Sequence, residues 1–156
     1  MRRAFAAHVD DVFRAWTDGT ILRAWYGPYD FDVRECVVDF REGGEFRIVM
    51  AHRDGLVFVT KGSYEALVAR EQFTMVMHLD EHPEEFIEIF RPRGCAHEDV
   101  PLIWELQVHF EDRSDTTLIT VTTTYPVTAD RDQFASMHGE RGWAEGFEKL
   151  DRLLGS

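Results

Sequence analysis

The sequence predicts an α+β domain in which a curved antiparallel sheet of six to seven strands wraps a long C-terminal helix, with two short helices near the N-terminus. Three observations carry that prediction. Apolar residues recur at every second position through most of the stretch from Phe31 to Tyr125, the period of strands with one buried face. They recur at every third or fourth position from Val9 to Thr17 and again from Phe134 to Leu154, the period of helices with one buried stripe. The helical stretches are segregated from the strands, so helices gather on one side of the sheet.

Each element follows from local signals. Phe5 closes a short first strand. Val9, Val12, Phe13 and Trp16 place one face of a helix inward, and Asp18-Gly19 breaks it. Thr20 can cap a second short helix through Trp25, ended by Gly27-Pro28. Phe31 to Phe40 reads as a strand and Arg41-Glu42-Gly43-Gly44 as its turn, with glycine free to take positive φ. Phe46, Ile48 and Met50 then share a face. After the polar turn His52-Arg53-Asp54-Gly55, a long strand from Leu56 to Leu67 puts Phe58, Thr60, Gly62 and Tyr64 on one side. Phe73, Met75 and Met77 continue the pattern.

The segment from Asp80 to Val100 is an acidic excursion holding Pro83, Pro92 and Gly94, and its strand-like run Phe86 to Phe90 is expected to pair at a sheet edge. Trp104, Leu106, Val108 and Phe110 form the clearest half-buried strand. Thr117, Ile119, Val121, Thr123 and Tyr125 form the last, in a threonine-rich stretch that suits a sheet. Thr128 or Asp130 can cap the final helix, whose apolar face runs through Phe134, Met137, Trp143, Phe147, Leu150 and Leu154. Gly139, Gly142 and Gly146 each cost that helix about 1 kcal/mol against alanine, which predicts a kink or a close backbone approach.

Bulk properties narrow the function classes. With 156 residues, 44% of them hydrophobic and 13% aromatic, residues 1–156 are expected to form a single domain around one good core. A net charge of -12 would repel nucleic acid and anionic membranes. No apolar stretch reaches transmembrane length, and His8, Asp10 and Asp11 interrupt any signal-like core after Met1. Cys36 and Cys95 make no disulfide framework, so a reduced, cytoplasmic setting is expected.

A helix about 10–12 Å across cannot cover six or seven strands spaced about 4.8 Å apart. The sheet must curl, and its uncovered concave part becomes a cleft. Side chains expected to line it are Trp25, Glu35, Phe46, Ile48, Phe58, Thr60, Tyr64, Met75, Trp104, Leu106, Trp143 and Phe147. The Tyr64 and Thr60 hydroxyls would be polar handles on an apolar wall. Glu35, in register with Val33 and Val37, is the carboxylate best placed to face inward as an acid or base.

Several segments resemble one family. Val12-Phe13-Arg14-Ala15-Trp16-Thr17-Asp18 followed by Leu22-Arg23-Ala24-Trp25-Tyr26-Gly27-Pro28 resembles the opening of the activator-of-heat-shock-protein-90-ATPase homologue-like (AHSA-type) proteins, within the START-like (SRPBCC, Bet v 1-like) superfamily. Val38-Asp39-Phe40-Arg41-Glu42-Gly43-Gly44-Glu45-Phe46 resembles their Asp-x-Arg-x-Gly-Gly hairpin, and Lys61-Gly62-Ser63-Tyr64-Glu65 their Gly-x-Tyr/Phe strand. Gly142-Trp143-Ala144-Glu145-Gly146-Phe147 resembles the closing Gly-Trp-x-x-x-Leu helix. Gly19 departs from a common proline, Tyr26 from a common tryptophan, and the 80–100 excursion is longer and more acidic than usual. The resemblance spans essentially the whole chain and implies a helix-grip fold with a hydrophobic ligand cavity. Its signature residues determine fold, and activity does not transfer with them.

No residue set compels an enzyme. Ser-His-Asp, reactive-cysteine, phosphate-loop and dinucleotide motifs are absent from the sequence. His78 and His82, with Asp80, Glu81, Glu84, Glu85 and the pair Cys95 and His97, match no closed metal-site spacing and read as an exposed acidic loop. No catalytic residue, metal or cofactor is assigned. The expected function is binding of a hydrophobic or aromatic small molecule. The alternatives are a chaperone-associated, stress-response interaction module, as the resemblance suggests, and a polyketide-cyclase-like or hydrolase-like enzyme in the same cavity. Homodimerisation through an open edge strand is a further expectation.

Overall fold

The opening strand β1 (Arg2–Phe5) pairs with the last strand of the sheet, Arg2 opposite Thr120 and Phe5 opposite Thr117. The helices α1 (Val9–Thr17) and α2 (Gly19–Trp25) follow. A meander then runs through β2 (Phe31–Val38), β3 (Glu45–His52), β4 (Val57–Val68) and β5 (Gln72–His78). After α3 (Glu84–Phe90) come β6 (Ile103–Asp112), β7 (Thr117–Thr124), α4 (Thr128–Ser136) and α5 (Gly139–Leu154). This computed structural model describes residues 1–155. The strands form one antiparallel sheet in the order β1-β7-β6-β5-β4-β3-β2.

Short-range chemistry explains most boundaries. Asp18, not Thr20, caps α2: its carboxylate accepts from the N–H groups of Thr20 at 2.9 Å and Ile21 at 3.3 Å. The β2–β3 turn uses Gly43 at φ +73°. On α1, Val12, Ala15 and Trp16 are buried as its spacing requires.

Four expectations need correction. The run Phe86 to Phe90 is helical, not an edge strand. Pro83 stands at its N-cap position and Glu84 and Glu85 occupy its first turn, where carboxylates favour a helix. Helical geometry also puts Phe86 and Phe90 on one face, ring centroids 4.8 Å apart.

The C-terminal stretch is two helices, because the chain turns at His138, which takes a left-handed φ of +55°. Neither Thr128 nor Asp130 caps α4. Val127 takes the N-cap position without a side-chain bond, and Asp130 is fully buried.

Glu35 faces outward. The β2–β3 register shifts between Val33 and Glu35, a bulge that transfers the inward face from Val33 to Cys36 and Val38. Glu35 therefore pairs with Arg47 at 3.1 Å on the outer face, and Val37 is 58% exposed.

The expected close approach is present on α5. A methyl group on Gly146 would sit 3.4 Å from the Trp25 carbonyl, and one on Gly142 3.1 Å from the Pro28 ring.

Candidate functional site

Antiparallel meandering gives the concave face two ends with different fates. At one end lie the last residues of β2, β4 and β6 and the first of β3, β5 and β7. That end is solid. Phe13 packs edge-on against Phe40, Phe73 and Phe110 at 5.2–6.4 Å, and Tyr64 meets Phe40, Phe46 and Phe73 at 4.9–5.9 Å. Toward the middle, Trp16 contacts Trp25, Phe73, Trp143 and Phe147, while Phe147 meets Phe5 at 5.6 Å. Most of these contacts are edge-to-face, as suits rings with negative faces and positive rims, while Trp16 and Trp143 stack.

The opposite end is not filled. A partly open cavity of about 220 Å³ lies between the starts of β2, β4 and β6, the ends of β3, β5 and β7, and the N-terminal half of α5. Six of the twelve expected residues border it: Trp25, Phe58, Thr60, Trp104, Leu106 and Trp143. Phe46, Ile48, Tyr64, Met75 and Phe147 are buried in the filled core instead, and Glu35 is on the outer surface. Tyr64 is thus no handle for a guest in this cavity. Its hydroxyl is buried without a hydrogen-bond partner among the described residues, and burial, then the neighbouring Cys36, pushes its pKa up.

The remaining wall comes from positions not singled out for this role from the sequence. Tyr26, Gly27, Pro28 and Phe31 bring the α2–β2 connection to the rim. Met50, Met77, Leu79, Thr123 and Tyr125 extend strand faces already recognised as apolar. His82 and Phe86 come from the excursion, Phe134 from α4, and Gly139, Gly142 and Gly146 give α5 a side without Cβ atoms. A methyl on Gly139 would collide with the Phe134 ring.

His82 is the correction with most bearing on chemistry. It is not in an exposed acidic loop. Its ring lies 5.3 Å from Phe58 and 4.7 Å from Phe86, and Nδ1 is 2.9 Å from the Val59 carbonyl. A carbonyl only accepts, so Nδ1 carries the proton. Burial holds the pKa down at about 4, against smaller opposing effects of that bond and Asp80, and the imidazole is neutral at pH 7. Tyr26 is pushed up to about 12 by burial and then by Cys36, so its phenol stays protonated. Among the described residues, no group of three or more His, Cys, Asp or Glu side chains is arranged to hold a metal ion.

The excursion is pinned over the cavity by a buried ion pair. Arg91 donates to Asp130 through Nη1 at 2.5 Å and Nη2 at 3.0 Å. It also donates to the carbonyls of Val100 at 2.6 Å, Phe90 at 2.7 Å and Pro101 at 3.4 Å, which employs all five guanidinium N–H groups. Trp104 Nε1 donates to Asp130 at 3.2 Å. One carboxylate therefore joins α4, the segment after α3, and a tryptophan of the cavity wall.

Comparisons with known proteins agree with this architecture. The chain is similar to a crystal structure of a protein from Nitrosomonas europaea, with 21% identity, 99% of this chain and 92% of that one covered, and a TM-score of 0.79. It is similar to one from Chromobacterium violaceum, at 17% identity, 100% and 96% coverage, and TM-score 0.77. The AHSA1 protein of Silicibacter pomeroyi aligns at 21% identity, 99% and 96% coverage, and TM-score 0.68. At these identities the likeness establishes the helix-grip fold. No curated protein matches the chain. Among the described residues no helix is long and apolar enough to cross a membrane. The family described as Activator of Hsp90 ATPase homolog 1-like protein matches residues 6–155, and the chain belongs to it.

Proposed function

We propose that this protein binds one hydrophobic, ring-containing small molecule in the cavity between the sheet and α5. The observation that supports the reading is a space of about 220 Å³ whose walls are almost wholly apolar and aromatic, left unfilled in a fold otherwise packed with rings. A dry cavity of about 150 Å³ already accepts benzene, so this one has room for one or two fused rings. Trp25, Trp104 and Trp143 border the space and make their own fluorescence a reporter.

Titration with the neutral two-ring dye 1-naphthylamine, with native mass spectrometry for stoichiometry, tests the reading. Binding near one to one is expected. Trp143→Ala should alter the affinity, whereas Tyr64→Phe, in the filled end, should leave it unchanged. Absence of saturable binding would overturn the proposal.

Contact with a chaperone is a second reading, favoured by the family's description. Co-purification with Hsp90 from cell extract, lost on mutation of an exposed surface, would support it. Association of two copies through β2, which among the described residues pairs only with β3, would show as a concentration-dependent mass.

A further inference from the structure

Among the described residues, none that lines the cavity is Asp, Glu, Lys or Arg. The nearest buried charges, Arg91 and Asp130, are spent on each other and on Trp104 Nε1 behind the wall. The half-buried Lys149 directs its ammonium to the Tyr26 carbonyl at 3.3 Å. A charged group seated inside, away from the mouth, would lose its hydration and meet no counter-charge.

The wall nevertheless offers specific hydrogen bonding. With its proton held on Nδ1 by the Val59 carbonyl, His82 keeps Nε2 as a lone-pair acceptor. Nε2 has no hydrogen-bond partner among the described residues and is not sealed from solvent. Phe58 and Phe86 on its flanks restrict the ring's orientation. Thr60, on the same strand as Val59, borders the same space.

We propose that the cavity selects an uncharged, ring-shaped guest bearing a hydroxyl or N–H donor, and that His82 Nε2 accepts that hydrogen bond. The proposal rests on the cavity-binding reading and adds two properties to it, neutrality and one donor. It sets such guests apart from fatty acids and aromatic carboxylates, which fit an apolar cavity equally well by shape.

Three probes with one skeleton separate these properties: 2-naphthol, 2-methylnaphthalene and 2-naphthoate, followed by tryptophan fluorescence at pH 7. 2-Naphthol should bind at least about a hundredfold more tightly than 2-naphthoate. His82→Phe should lower the affinity for 2-naphthol relative to 2-methylnaphthalene by roughly fivefold, and His82→Gln, which keeps an acceptor, should restore part of it. In the unmutated protein the His82 Nε2 nitrogen resonance should move on adding 2-naphthol and stay in place with 2-methylnaphthalene, a readout independent of how variants fold. If none of the three probes binds, the cavity-binding reading fails and takes this one with it. If 2-methylnaphthalene binds, but 2-naphthoate matches 2-naphthol or the His82 resonance does not respond, the present inference alone is overturned.

Discussion

Replacing Asp130 by alanine tests how the cavity's cover is held. Asp130 is fully buried and receives three hydrogen bonds, two from Arg91 and one from Trp104. The Arg91 side chain is 6% exposed, so Asp130→Ala would leave a guanidinium in the interior facing only carbonyls. Breaking a buried pair from one side costs about 3–5 kcal/mol. For a chain of this length each kcal/mol corresponds to about 2–4 °C, so a fall in Tm of roughly 6–20 °C is expected. Arg91→Met should cost a similar amount, since it strands the carboxylate and three carbonyls. The double variant should fall short of the summed single effects by about 2–3 kcal/mol, because the second change removes a charge the first left unpaired. Urea unfolding followed by far-ultraviolet circular dichroism measures all three. Amide exchange across α3 should rise in each single variant. Additive single effects, or losses below about 1 kcal/mol, would refute the reasoning by showing that the pair is solvated and that the cover is held by its rings alone.

Other perturbations check separate parts of the structure. His82 has a folded pKa of about 4 against an ordinary 6.5, so the unfolded chain binds the extra proton first as the solution is acidified. Its contribution is complete above pH 6.5 and is lost as pH falls toward 4, amounting to about 2 kcal/mol between pH 7.5 and 5, seen as the difference in urea midpoints between the parent and His82→Gln. Gly146→Ala should be neutral or stabilising by up to about 1 kcal/mol, since its methyl would make ordinary contact with the Trp25 carbonyl. Gly62→Ala should cost more than about 2 kcal/mol, because its methyl would strike the Val76 carbonyl of the neighbouring strand; thermal melts distinguish the two. Glu35→Gln should change stability by less than about 1 kcal/mol and leave dye binding intact, as suits an exposed pair with Arg47.

Periodicity read the faces of this protein well and positions along them poorly. Phe46, Thr60, Tyr64, Met75 and Leu106 all point to the concave side, as alternation requires. Which of them meet empty space depends on distance along the strand. Phe58 and Thr60 sit near the start of β4 and border the cavity, whereas Tyr64, four residues beyond Thr60, is packed among Phe40, Phe46 and Phe73. The order of strands says which ends coincide, but not which end the helices fill. Glu35 failed for a different reason, since one residue of bulge reverses every face after it and leaves no compositional mark. For the excursion, the letters Phe-Ile-Glu-Ile-Phe fit a strand, yet Pro83-Glu84-Glu85 ahead of them was a legible helix start. The break before α5 was legible too: the apolar series skips from Met137 to Trp143 across two glycines.

These displaced elements share a location. The α3 helix, the His138 turn and the Arg91–Asp130 pair all lie around the open end, while the elements read correctly dominate the filled one. A packed end needs only complementary apolar faces, and periodicity expresses those directly. An end that side chains leave unfilled makes fewer core contacts to order its surroundings, and directional bonds help to fix its cover. A bidentate ion pair adds little net stability over an apolar substitute, but it admits far fewer alternative arrangements. That Arg91 and Asp130 sit where α3 and α4 meet Trp104 is therefore the expected place for buried charge in this fold. The same logic applies to His82, whose bond to Val59 ties the excursion to β4 and orients the ring beside the space the cover encloses.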